Sequence, residues 1–302
     1  MKKPMAGSLW DLADLTPQYP FLHNDQRCDV AVVGGGLTGI TLAALLAEAG
    51  VDTVLLEANT LGSGTTGRST AKITIQHGLI YQKLTKAVGL DGALAYARAN
   101  QAGFDHIAER VRSLSIDCDY ESSSAMVYAE AEADIPAIEK ELHILDQLGL
   151  KAGFREKADI PIRAAVCMEG QAYFHPMKYL YALAAQAQSA GCRIFERSRV
   201  LSVERGPQNC ILRTGERLLR ARRVVFATNY PLLDMPGFYF ARLHQERSYL
   251  LCAETPGLPL SSMYITVKPP IHSFRPHRSA DGRTLVLVGG YGHKTGRQDK
   301  LA

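Results

Sequence analysis

Three glycines and one carboxylate carry the first chemical signal in this chain. Gly34, Gly36 and Gly39 fall at the G-x-G-x-x-G spacing, and Glu57 lies 18 positions beyond Gly39. Binding a pyrophosphate needs backbone N–H groups that no Cβ shields. A glycine at the first position permits a sharp turn off a strand, one at the second lets phosphate reach the backbone, and one at the third lets helix and strand pack closely. The N-terminus of the helix that follows adds unpaired N–H groups and the positive end of its dipole. An acid roughly 20 residues on suits a ribose hydroxyl and opposes a 2′-phosphate. Together these residues imply FAD or NAD rather than NADP.

The motif means this only if the elements around it are right, and the sequence supplies them. Val30–Val33 is a β-branched apolar run, Ile40–Ala49 an alanine-rich helical segment closed by Gly50, and Val51–Leu56 a second apolar run ending on Glu57. This reads as strand, turn, helix, strand. Gly62-Ser63-Gly64-Thr65-Thr66-Gly67 repeats the glycine spacing, but no apolar strand precedes it and no apolar helix follows. It is expected as a long loop on the ligand side of the sheet, where hydroxyls and N–H groups can meet phosphates or a ring system.

Further along, apolar residues recur at helical spacing from Leu79 to Leu114, with a break near Gly89. A strand is expected within 118–129, an amphipathic helix over Ala131–Leu148, a strand at 164–168 and a helix over Met177–Ala190. Short strands follow, ending in Val224–Ala227, and the alternating, turn-rich sequence after residue 236 predicts antiparallel strands of a second sheet. Residues 1–27 read as an irregular arm with Trp10, Tyr19 and Phe21 to bury.

Composition bounds the partners. In 302 residues, 46% are hydrophobic and 21% charged, with a net charge of +4. This is ordinary globular usage, and the scattered cations give no nucleic-acid signature. No apolar run approaches the roughly 20 residues of a membrane span, and the N-terminus lacks the apolar core of a signal peptide. The six cysteines form no C-x-x-C pair and no metal-ligand spacing, which predicts reduced thiols, no bound metal and a cytoplasmic protein.

The motifs DVAVVGGGLTGITLA (29–43), GSGTTGRSTAKITIQHGLIY (62–81), YFHPMKYL (173–180), VVFATNYP (224–231) and LVGGYGHKTG (287–296) resemble the D-amino-acid-oxidase-like superfamily of FAD-dependent oxidoreductases. The likeness is to amine- and amino-acid-oxidising members whose longer forms carry a C-terminal Rieske domain. It implies an α/β fold: a Rossmann-like FAD-binding domain (1–80 and 165–235) interleaved with an α+β substrate domain built on an antiparallel sheet (81–164 and 236–302). It implies FAD held by Gly34, Gly36, Leu37, Thr38 and Gly39, with Glu57 and the adjoining Ala58 at the adenosine ribose. It further implies that the loop from Gly64 through Thr65 and Thr66 to Lys72 approaches the flavin, that backbone at Val200 lies near the adenine, and that Ala227 and Thr228 lie on the pyrophosphate side.

The reaction so implied is oxidation of a C–N bond in a small amine or amino acid. Reduced flavin is anionic at N1, so a nearby cation helps, and Lys72 is the candidate in a loop otherwise short of charge. His77, with a tunable ring, is the second catalytic candidate. His175, before Pro176, is expected to pack or cap. Arg247 or Arg275 could hold a substrate carboxylate. Members of the family return to the FAD domain after the substrate sheet, whereas this chain ends soon after LVGGYGHKTG and shows no Rieske domain. The expectation is a fragment, a truncated gene product, or a form whose flavin site is completed by a protein partner or an oligomer. The alternatives are a catalytically inactive flavin-binding protein and an NAD-dependent dehydrogenase.

Overall fold

The computed structural model describes residues 7–12, 16–233, 237–255, 257, 260–279 and 282–295. In chain order the elements are β1 (Gln26–Val33), α1 (Leu37–Glu48), β2 (Thr53–Leu56), β3 (Lys72–Ile73), α2 (Ile80–Ser113), β4 (Glu121–Ala129), α3 (Ile135–Gln147), β5 (Gly153–Arg155) and β6 (Ala164–Tyr173). After these come α4 (Pro176–Ser189), β7 (Arg193–Phe195), β8 (Ser202–Arg205), β9 (Cys210–Thr214), β10 (Arg217–Phe226), β11 (Glu246–Glu254), β12 (Met263–Thr266), β13 (Ser273–Arg278) and β14 (Thr284–Lys294). They form two units, Met1–Ser69 with His175–His244, and Thr70–Phe174 with Gln245–Ala302.

The first unit is a six-stranded sheet in the order β7-β2-β1-β10-β9-β8. The four strands β7, β2, β1 and β10 are parallel, and β9 and β8 extend the edge antiparallel. Parallel strands covered on both faces read as continuous apolar runs, and all four residues of β2 are buried. Helix α1 buries Gly39, Ile40, Ala43, Ala44 and Ala47 and packs on α4; its alanines allow that close approach. The N-terminal arm is fastened rather than loose. Trp10 is buried, its Nε1 donates to the Ser69 carbonyl at 2.9 Å, and its ring meets His175 edge-on. Glu196, 1% exposed, accepts from Leu61 N at 2.7 Å and Tyr19 N at 3.4 Å. One buried carboxylate thus ties the arm to the loop after β2. His175 caps α4, its Nδ1 accepting from Lys178 N.

The second unit is built on a sheet ordered β11-β14-β13-β12-β4-β6-β3, with β5 also on β6. It corrects the expectation of an antiparallel sheet, because β12 runs parallel to β4. A hairpin forces antiparallel neighbours, but these two strands come from distant stretches of chain, and such a crossover permits either sense. Helices α2 and α3 bury their apolar stripes against this sheet through Leu84, Leu94, Ile138 and Leu145. Gly89, at φ +76, interrupts α2 where the apolar pattern breaks. Glu141 of α3 is fully buried and accepts from Tyr81 N at 2.9 Å and Gln82 N at 3.0 Å, so one helix caps the start of the other.

The unit crossings fall at 69/70, 174/175 and 244/245, where the sequence suggested 80/81, 164/165 and 235/236. Pairing explains two of these displacements. Lys72 stands opposite Tyr173 and Ile73 opposite Ala172, so β3 and the whole of β6 belong to the second sheet.

Candidate active site

The glycine turn is built by backbone contacts that exclude side chains. Gly34 has φ +114, and a Cβ there would lie 2.5 Å from the Ala227 carbonyl oxygen. A Cβ on Gly39 would lie 1.9 Å from the Gly34 oxygen. Both glycines therefore face protein. Gly36 is different: among the described residues beyond its chain neighbours, only Thr66 Oγ1 lies within 4 Å of its Cβ position, at 3.2 Å. Leu37 and Thr38 then open α1, Thr38 exposed, with no acidic residue in the first turn to neutralise the helix dipole.

Glu57 follows β2, with Ala58 half-buried beside it. Its carboxylate accepts from Gly35 N at 2.6 Å and from Asn59 N at 2.8 Å. An ionised carboxylate offers about four lone-pair positions, so two hydrogen bonds fix its orientation and leave capacity for ribose hydroxyls. The second glycine loop folds onto the first. Gly62 N donates to Gly35 O at 3.0 Å, and Leu37 N donates to Thr66 Oγ1 at 3.1 Å. Gly64 and Thr65 remain exposed, with open space over Gly64.

Across the sheet, Ala227 N donates to Val33 O at 2.8 Å and Thr228 Oγ1 to Tyr230 O at 2.6 Å, placing the end of β10 beside Gly34. The Val200 side chain lies in the core with Val33 and Leu56, so only its backbone is free to meet a ligand. These residues fit the adenosine diphosphate part of FAD: an open backbone at Gly36, an un-neutralised helix start and an oriented carboxylate.

The second unit holds the two catalytic candidates, and it does not join them. Lys72 Nζ donates to the Tyr264 carbonyl and to Ser273 Oγ, each at 2.8 Å. Burial without a carboxylate partner, reinforced by the Arg275 guanidinium, lowers its pKa to about 7. His77 instead contacts Tyr96 of α2, its Nδ1 3.0 Å from the phenol oxygen. Partial desolvation lowers its pKa too, opposed by a hydrogen bond with the Thr74 backbone. The described contacts of Lys72 and His77 share no residue.

Arg275 is wholly buried and donates to the carbonyls of Thr70, Phe174 and Pro276, with its guanidinium 4.6 Å from the Tyr173 ring centroid. It binds backbone instead of standing open to a substrate carboxylate. Arg247 is exposed on β11. Two polar residues escaped the sequence reading. Ser273 is one. Gln76 is the other, 3% exposed with no described partner for either amide atom. The alternation Lys72-Ile73-Thr74-Ile75-Gln76 was a signal for Gln76, since polar residues two apart share a strand face.

A parallel α/β sheet, a glycine turn at a helix start and an oriented acid at the end of the next strand define a dinucleotide-binding protein of the Rossmann type. Residues 29–301 match the model of the DAO family, FAD dependent oxidoreductase, and the chain belongs to that family. FAD is the cofactor this membership assigns. The chain is 33% identical over 297 residues to "Putative Rieske 2Fe-2S iron-sulfur protein YhfW" of Bacillus subtilis (strain 168), covering 98% of this chain and 58% of that protein. It is 30% identical over 224 residues to gamma-glutamylputrescine oxidoreductase of Escherichia coli (strain K12), covering 70% of this chain and 51% of the relative. It thus spans little more than half the length of these relatives. Glycine oxidase from Geobacillus kaustophilus shares the fold at a TM-score of 0.66 and 19% identity, over 89% of this chain and 72% of that one. L-proline dehydrogenase from P. horikoshii does so at 0.69 and 16%, over 90% and 71%. Among the described residues no helix is long and apolar enough to cross a membrane.

Proposed function

We propose that this protein oxidises a C–N bond of a small amine or amino acid, with FAD bound along Gly34–Gly39 and Glu57. The observation that carries this reading is Lys72, a lysine held by a carbonyl and a hydroxyl with no carboxylate partner. It stands six residues along the chain from Thr66, which touches the pyrophosphate turn. Bound FAD supplies the hydride acceptor. The chain must bind the amine, orient its α-C–H bond and remove the proton that an ammonium carries, because a protonated nitrogen has no lone pair to support hydride loss. Lys72 in its neutral form takes that proton, and as a cation it then favours negative charge nearby. His77 is the second candidate for proton transfer, and Arg247 the candidate for a substrate carboxylate. The relatives named as a gamma-glutamylputrescine oxidoreductase and a glycine oxidase support the amine or amino-acid class.

Two further elements belong to this reading. The protein works in the cytoplasm, where its six cysteines, none of them in a disulfide among the described residues, stay reduced. A protein partner or a second copy covers the exposed Val225 and Phe226 at the C-terminal end of β10. The test is anaerobic mixing of the FAD-loaded protein with amines and amino acids. Bleaching of the flavin absorbance by one substrate class is the expected result. A protein that holds FAD and stays oxidised with every amine and amino acid is a binding protein, and the reading fails.

A further inference from the structure

The surroundings of Lys72 differ in one chemical respect that bears on how it can work. The Tyr264 carbonyl can only accept a hydrogen bond, whereas the Ser273 hydroxyl can accept or donate. As an ammonium, Lys72 Nζ donates to both, at 2.8 Å each, and keeps one N–H. As a neutral amine it has two N–H groups and one lone pair. One N–H still donates to Tyr264 O, the lone pair accepts the Ser273 hydroxyl, and one N–H again remains. The same positions therefore satisfy both forms. A carboxylate at Ser273's place would favour the cation, and an apolar side chain would leave one partner missing.

We propose that Ser273 is a positioning residue for Lys72, accepting from its ammonium and donating to its neutral amine, so that Lys72 exchanges one proton without moving. The inference rests on the reading of Lys72 as the group that takes the substrate's proton. In that step the substrate N–H bond breaks, the Lys72 Nζ–H bond forms, and the electron pair stays on the substrate nitrogen, so no oxidant enters. The charged and titratable groups around Lys72 agree with an exchangeable proton. Arg275 of β13 lowers proton affinity. Tyr173, opposite Lys72 on β6, donates its phenol to Glu121 of β4 at 2.6 Å. Tyr264 of β12 donates its phenol to Asp159 at 2.8 Å. The carboxylates of Glu121 and Asp159 are thus engaged with phenols, and neither is a described hydrogen-bond partner of Lys72.

The test is a pH titration of the Lys72 13Cε resonance in the full chain labelled with 13C-lysine. The signal is assigned by its loss in Lys72→Met. Ser273→Ala removes an acceptor that serves the cation better than it serves the amine, and should move the midpoint down by about one pH unit. Ser273→Thr keeps the hydroxyl and should restore the wild-type midpoint; Ser273→Asp should raise it. If Ser273→Ala does not fold, Ser273→Cys carries the same test with a weak donor and acceptor. An unmoved midpoint in Ser273→Ala, or an equal shift in Ser273→Thr, overturns the proposal. The titration needs no flavin. Failure of amine oxidation with the expected titration would remove the functional reading alone, and the reverse outcome would remove the role of Ser273 alone.

Discussion

Replacing Gly39 by alanine should break the cofactor turn from within, while the same change at Gly36 should leave the turn standing and spoil only its ligand. A Cβ at position 39 would lie 1.9 Å from the Gly34 oxygen, 3.1 Å from the Gly34 carbonyl carbon and 3.4 Å from Ala227 Cβ. Relief requires α1 to retreat by about 1 Å, and packing this close resists that. Gly34 is held by its N–H on Leu56 O at 2.9 Å, and Ala227 by its N–H on Val33 O at 2.8 Å. On the other side, Ile40 and Ala43 have no exposure, and retreat would open voids beneath them. Overpacking typically costs about 1–3 kcal/mol. A backbone oxygen cannot rotate away, so the upper end, about 3 kcal/mol, is expected here, out of a total near 5–15 kcal/mol. At Gly36 the nearest atom is the Thr66 hydroxyl at 3.2 Å, which can yield by rotation. Gly36→Ala should therefore stay within about 1 kcal/mol of wild type and bind FAD at least about tenfold more weakly, because its methyl stands where phosphate approaches. Urea denaturation followed by the fluorescence of Trp10, the chain's one tryptophan, measures the first effect, and FAD titration the second. Wild-type stability in Gly39→Ala, or a larger loss in Gly36→Ala than in Gly39→Ala, would show that the Gly34 oxygen does not set the limit on this turn.

Glu57→Gln should keep the fold but weaken FAD binding by about tenfold, since the amide can accept from only one of Gly35 N and Asn59 N and no longer offers two acceptors; equal affinity in a titration would count against the ribose assignment. Glu141→Ala should destabilise the second unit by about 2 kcal/mol, leaving the N–H groups of Tyr81 and Gln82 unmet where α2 begins; thermal unfolding checks it. Lys72 also makes a pH prediction. Its pKa falls from 10.5 to about 7 on folding, so between those values the unfolded chain binds more protons, and stability should rise as pH increases from about 7 to 10.5. Lys72→Met should remove that rise, and denaturation midpoints at pH 7 and pH 10 in the two proteins measure it.

Much of the first unit was legible in the sequence because its signals are local. The turn at Gly34–Gly39, the acid at Glu57 and the break in α2 at Gly89 each depend on a few neighbouring residues whose backbone freedom or periodicity is written in their types. The seating of the second glycine loop on the first was less legible: it depends on the Thr66 hydroxyl reaching Leu37 N, 29 residues away. Arg275 shows the limit more sharply. A sequence can offer an arginine on a strand, but only register and curvature decide whether its guanidinium meets substrate or, as here, three backbone carbonyls.

The residue types and their spacing were enough for the glycine turn, an acid at the end of the next strand, and most of the order of helices and strands. Tertiary structure decided the rest of the candidate chemistry. Lys72 meets Tyr264 and Ser273, which lie 192 and 201 residues away, although β3 and β13 are not neighbours in the sheet. The parallel pairing of β4 with β12 likewise joins strands from the two separate stretches of the second unit. Both depend on contacts between distant stretches of chain, a sum of packing terms spread over the whole unit, which no short stretch of sequence encodes.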